Sequence, residues 1–162
     1  MKIKRCIVLS LALCLFLFGC SSNIKETNLS FYYCKSETSY GFNAATITVE
    51  TRKERIDPLD YAQIITTYLN GPKTNYLRTP FPQGTELVSI NVDQGVCNIT
   101  LTVHLSELTG IELTVACACL AKTASSVTGC AKVQISAQGA MLDNHASITM
   151  DANELLLSDA LQ

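Results

Sequence analysis

Residues 86–103 most narrowly limit what this chain can fold into. Leu87, Ser89 and Asn91 alternate with Val88, Ile90 and Val92, and Cys97, Ile99, Leu101 and Val103 then alternate with Asn98, Thr100 and Thr102. A period of two sends successive side chains to opposite faces of a strand. Asp93-Gln94-Gly95 separates the two runs and supplies a tight reversal. The segment therefore reads as a β-hairpin with one buried face.

The flanking sequence extends this start in both directions. Leu-Ser-Phe-Tyr-Tyr-Cys at residues 29–34 is aromatic and strand-like. Residues 36–41 offer a turn, and residues 42–51 read as the returning strand, with Ile47, Val49 and Thr51 alternating with Thr48 and Glu50. Asp57-Pro58 has the form of a helix start, an acid at the N-cap and proline in the first turn. Tyr61, Ile64, Ile65, Tyr68 and Leu69 make one apolar stripe, which Gly71-Pro72 ends. Residues 73–84 contain Pro80 and Pro82 and read as a loop. A second helix is expected over residues 111–127, with an inner stripe of Leu113, Cys117, Leu120, Ala121 and Ala124 and a stop at Gly129. A strand at 130–137 and an extended segment around 146–150 complete the order. That order predicts an α+β fold: a single small domain in which two helices pack on one face of a mixed or antiparallel sheet.

Residues 1–22 carry a different signal. Lys2, Lys4 and Arg5 precede an apolar run at residues 6–18, broken only by Ser10, that ends in Leu17-Phe18-Gly19-Cys20. A basic start, a short apolar core and a small residue before the cut describe an export signal. The run falls short of the roughly 20 residues that span a bilayer, and no later run is expected to span one. The ending resembles a bacterial lipobox, with Phe18 where a smaller residue is usual. That resemblance implies cleavage after residue 19 and a lipid on Cys20. The alternative is an uncleaved anchor, and both readings put residues 23–162 outside the cytoplasm beside a membrane. The expected division is a signal peptide at 1–19, a lipidated terminus and polar tether at 20–28, and a folded domain at 29–162.

Charge then removes some function classes. The chain has 12 basic and 14 acidic residues. Lys2, Lys4 and Arg5 leave with residues 1–19 and no acid does, so nine basic residues face 14 acidic ones, a formal charge of −5. The densest basic group, Arg52, Lys53 and Arg55, is flanked by Glu50 and Glu54. Nucleic-acid binding calls for a basic face that this chain lacks.

Of eight cysteines, Cys6 and Cys14 lie in the signal and Cys20 is the lipid acceptor. Cys34, Cys97, Cys117, Cys119 and Cys130 remain, an odd number that cannot pair completely within one molecule. Most are expected to be small buried residues. Cys97 and Cys117 are in phase with the apolar faces of their elements and are expected in the core, where a bridge between them is possible. Cys119 lies outside the helix stripe. Metal spacing is absent: Cys117 and Cys119 point roughly 200° apart on a helix, His104 lies in the outward phase of its strand, and His145 sits beside Asp143 in a loop. No nucleophile elbow, phosphate loop or dinucleotide fingerprint occurs, so no enzyme and no cofactor is expected.

Leu69-Asn70-Gly71-Pro72 followed by Thr79-Pro80-Phe81-Pro82-Gln83-Gly84-Thr85-Glu86-Leu87 resembles the GerMN domain. The resemblance continues through Asp93-Gln94-Gly95-Val96, Leu105-Ser106, Ser125-Ser126-Val127-Thr128-Gly129 and Val133-Gln134-Ile135, covering about residues 29–150. The segment before the second helix is shorter than usual, and cysteines stand where small apolar residues are more common. The resemblance implies an envelope lipoprotein linked to sporulation and spore germination, acting as an assembly part with no catalytic residues. Its partners would be a membrane, reached through the N-terminal lipid, and another envelope protein. Within the 73–84 loop, Tyr76, Leu77 and Phe81 are expected to form an exposed apolar patch for that partner. The alternative is a small binding module for a cell-wall fragment or solute, with Tyr32, Tyr40 and Tyr76 as stacking groups.

Overall fold

The computed structural model of the chain describes residues 26–36 and 47–155. In chain order the elements are β1 (Glu26–Lys35), β2 (Ile47–Arg55), α1 (Tyr61–Leu69), β3 (Leu77–Arg78), β4 (Leu87–Asp93), β5 (Val96–Leu101), a 3-10 helix (Val103–Glu107), α2 (Gly110–Thr128), β6 (Lys132–Ala137) and β7 (Ile148–Asp151). The α+β class is as expected. The strands are divided between two sheets, ordered β2-β1-β3 and β4-β5-β6-β7. The signal, Cys20 and Tyr40 lie outside the described residues.

The predicted hairpin forms β4 and β5. Gln94 and Gly95 both take positive φ, 48° and 79°, the left-handed pair that a two-residue hairpin loop needs to match strand twist. Cys97, Ile99 and Leu101 are buried, and so are Val133, Ile135 and Ala137 on β6. β6 pairs with β5 in parallel, which requires the crossover that α2 supplies. β5 stops at Leu101, short of the expected Val103. The Thr102 hydroxyl there accepts from Glu86 N–H at 3.0 Å and donates to Gly84 O at 3.0 Å. The chain turns into the 3-10 helix at that point, so His104 is not on a strand.

Helix α2 accounts for the other main departure from expectation. Its predicted stripe is buried, but so are Ala116, Ala118, Cys119 and Thr123. The helix lies between two partners, β1 on one side and β5, β6 and β7 on another. Alanine, cysteine and threonine are small enough to let β1 approach the second face closely. By length and composition α2 could cross a membrane, contrary to the expectation of no second such run. Its apolar character is accounted for by burial on two sides.

β1 begins at Glu26, inside the expected tether, because residues 26–28 pair with residues 53–55 of β2. Its other edge meets β3 only at Cys34 and Lys35. Farther back, side chains cap that edge. Thr123 Oγ1 accepts from Tyr32 N–H at 3.0 Å, Tyr68 donates to Tyr32 O at 2.9 Å, and Ser126 donates to Ser30 O at 3.0 Å. Helices thus cover a strand edge that would otherwise offer unpaired backbone groups.

Helix α1 starts later than predicted. Asp57 accepts from Leu59 N–H at 2.9 Å within a turn, and Asp60 takes the N-cap, accepting from Gln63 N–H at 2.9 Å. With two acids three residues apart, the second lies next to the apolar stripe and wins the cap. Gly71, at φ 93°, ends the helix as expected.

Candidate functional site

The two loop motifs, Leu69–Pro72 and Thr79–Leu87, come together at the C-terminal end of α1. Beneath them lies a buried charge network that strand patterning hid. In β2 the alternation of Ile47, Val49 and Thr51 with Thr48 and Glu50 marked a strand without assigning its inner face. The charged residues take that face: Val49 is exposed, whereas Glu50 and Arg52 are 8% and 7% exposed.

Burying these charges requires partners for every donor and acceptor. Arg52 Nε donates to Glu50 Oε2 at 2.6 Å, and Nη2 donates to Gly71 O at 2.7 Å and Tyr33 Oη at 3.1 Å. The guanidinium also lies 4.9 Å from the Phe31 ring centroid and 5.5 Å from that of Tyr33. Glu50 accepts from Thr74 Oγ1 and, at 3.1 Å, from Lys73 N–H. Tyr33 donates onward to Tyr68 O at 2.7 Å, a carbonyl in the last turn of α1. Burial disfavours the ionised Glu50 carboxyl, but hydrogen bonds from Thr74 and Arg52, the Arg52 charge and the Lys73 amide outweigh it and hold the carboxyl below its usual range. Burial is also the main cause that raises the Tyr33 and Tyr68 phenols.

An aromatic cluster continues from the network. Tyr33 stacks on Tyr68 with centroids 4.9 Å apart, and Phe81 meets Tyr68 edge-on at 5.8 Å. The expected apolar patch at 73–84 is corrected here. Leu77 is 5% and Phe81 8% exposed; both belong to the core, and only Tyr76, at 63%, faces outward. Leu77 pairs with β1 and Phe81 fills the space beside Tyr68. Bulky residues in a short loop anchor it where a strand edge and an aromatic cluster are within reach.

Above this anchor is a cleft of about 200 Å³ lined by Thr66, Leu69, Asn70, Thr85, Glu86 and Leu87. Thr85 Oγ1 is buried there without a hydrogen-bond partner. Neither Tyr32 nor Tyr76 lines the cleft. Among the described residues its lining holds one carboxylate, Glu86, and no histidine, cysteine or lysine.

The remaining singled-out residues are dispersed. His104 Nδ1 lies 2.8 Å from Glu107 Oε1, and His145 Nδ1 lies 3.2 Å from Asp143 O. The Asp143 carboxylate accepts from Gly110 N–H at 2.9 Å and so caps α2. Among the described residues, no group of three or more histidine, cysteine or acidic side chains is placed to hold a metal. The five described cysteines are all buried free thiols, including Cys119, which the stripe had left outside. Cys97 and Cys117 are in the core as expected.

Residues 30–143 match the Germane family, described as sporulation and spore germination. The chain belongs to this family, as its loop motifs suggested. No curated protein matches it. Among solved structures, it is similar to a candidate lipoprotein from Clostridium perfringens at 17% identity and a TM-score of 0.50, covering 83% of this chain and 93% of that one. It is also similar to the tandem GerMN domains of the sporulation protein GerM from Bacillus subtilis, at 18% identity and a TM-score of 0.52. That match covers 76% of this chain and 43% of the tandem. At these identities the likeness shows the fold.

Proposed function

We propose that this protein is a membrane-tethered interaction module of the cell envelope, held by lipid on Cys20 and working in sporulation, germination or a related envelope process by contact with another envelope protein. The observation that carries the contact reading is strand β4. It is an edge of the four-stranded sheet, and Val88, Ser89, Asn91, Val92 and Asp93 are all exposed. An open edge bearing Val88 and Val92 is suited to a partner strand. The family assignment and the lipoprotein-like neighbour support the setting.

The tether is tested by Cys20→Ala, which should release the domain from membranes or leave an unprocessed precursor. Unchanged fractionation and normal processing would overturn it. The contact is tested by Val88→Lys with Val92→Lys. A partner that co-isolates with the native chain should be lost while thermal melting stays the same, and full recovery of the partner would sink the edge reading.

A second reading rests on the unpartnered Thr85 hydroxyl: the cleft takes a small polar solute. Its volume is below the roughly 300–1,000 Å³ usual for ligand pockets, and no aromatic wall is present for stacking a sugar. The interaction reading is therefore the stronger.

A further inference from the structure

β1 and α2 are joined by a ladder of side-chain contacts. Ser30 meets Ser126, and Tyr32 meets Thr123, each through a 3.0 Å hydrogen bond. Two residues of strand advance roughly 6.6 Å, and three or four residues of helix advance about 4.5–6 Å. The two elements thus stay in step as the strand runs forward and the helix runs back. Two residues further along β1 and four back along α2 from the Tyr32–Thr123 bond lie Cys34 and Cys119. Both are fully buried, and each thiol acts on the other.

We infer that Cys34 and Cys119 form an oxidisable pair, a modification site at which a single disulfide joins strand β1 to helix α2. The other cysteines are placed differently. Cys117 is two residues from Cys119 on the same helix, and burial, with the Asp143 charge, pushes its thiol up to about 12. Cys97 has Cys130 nearby, but its side chain is engaged by Thr128, and burial pushes its thiol up to about 11. At Cys34 the Cys119 hydrogen bond outweighs burial and, with the Arg78 charge facing it on β3, holds the thiol below its usual range. Cys119 is raised by donating that bond and by burial. Cys34 is therefore the attacking sulfur and Cys119 the resolving one.

The oxidant is a low-molecular-weight disulfide or a thiol–disulfide exchange protein. The Cys34 thiolate attacks one sulfur of the oxidant, whose S–S bond breaks and releases one thiolate. Cys119 then loses its proton and attacks the Cys34 sulfur of the mixed disulfide, which releases the second thiolate. Two cysteine thiols are oxidised, one disulfide is reduced to two thiols, and the two protons pass from the cysteines to the products. Because both sulfurs are buried, exchange proceeds through local opening.

The test uses the full-length chain in detergent, incubated with oxidised glutathione, then denatured, alkylated and digested without reductant. The expected result is a peptide containing Cys34 linked to one containing Cys119, lighter by two hydrogens than its reduced parts, with Cys97, Cys117 and Cys130 alkylated. The oxidised chain should also melt higher by on the order of 10 °C, a shift lost in both Cys34→Ser and Cys119→Ser. Serine preserves a hydrogen-bonding group at each position, so both variants keep the ladder. Alkylation of all five cysteines, or Cys97 joined to Cys130 as the main product, would overturn the assignment. This outcome is independent of membrane attachment, since the oxidant is added to purified protein.

Discussion

The two sheets of this domain are held in opposite ways. The inner face of β5 and β6 is dry, made of Cys97, Ile99, Leu101, Val133, Ile135 and Ala137. The β2-β1-β3 sheet instead buries an ion pair, a phenol and backbone groups that hydroxyls satisfy. Apolar burial is non-directional and tolerates small shifts. A buried charge network holds only if each partner is in place, and losing one member leaves another stranded. The polar sheet should therefore respond sharply to single changes and to pH, and the dry sheet to volume alone.

The largest test of that contrast is Arg52→Ala. It leaves Glu50 buried without its cation and should cost about 3–5 kcal/mol, read by denaturant unfolding. Its counterpart on the dry sheet, Ile99→Ala, should cost about 2–5 kcal/mol through lost burial and a cavity. A cost under about 1 kcal/mol for Arg52→Ala, the range of a surface pair, would erase the distinction. Thr123→Val strands the Tyr32 N–H and should cost about 1–3 kcal/mol, with slowed amide exchange at Tyr32 becoming fast. The last test separates the sheets by acidity. The folded Glu50 carboxyl titrates below its usual value of 4.5. Its contribution is therefore complete above that value and is lost as the pH falls through the depressed folded value. Glu50→Gln should lower stability near neutrality and flatten the acid limb of a melting curve, whereas Ile99→Ala should leave the limb's shape unchanged.

The same contrast governs how much could be read from the sequence. Alternation located β4 and β5, and Gly71 and Gly129 marked both helix ends, because burial there is satisfied by apolar side chains or local backbone geometry. The inner face of β2 gave no signal because Glu50 and Arg52, two residues apart, satisfy each other inside while Val49 points out. Period alone cannot distinguish a charge pair facing inward from one facing water. Leu77 and Phe81 were misplaced because their burial depends on tertiary partners, β1 for Leu77 and the Tyr68 ring for Phe81, which a loop's own sequence does not reveal. Cys119 was missed because one stripe was sought on a helix that packs on two sides. Thr85 and the cleft gave no signal, since a lone threonine in a loop has no pattern. Asp143 was legible as a loop acid, but its role in capping α2 across 33 residues was not.

The ladder between β1 and α2 also sets an order of assembly. The β4–β5 hairpin closes over two residues, and such hairpins form in about 1–10 μs. β1 is made first, yet its contacts to Thr123 and Ser126 span 91 and 96 positions of chain. Those contacts wait for a long loop to close, and such distant pairings slow folding. One edge of β1 pairs at once with β2, the next element of the chain, but the other is thus secured late. Until α2 has emerged, the Tyr32 N–H and the Ser30 carbonyl on that edge wait for their hydroxyl partners, so the first strand made is among the last to have its edge closed.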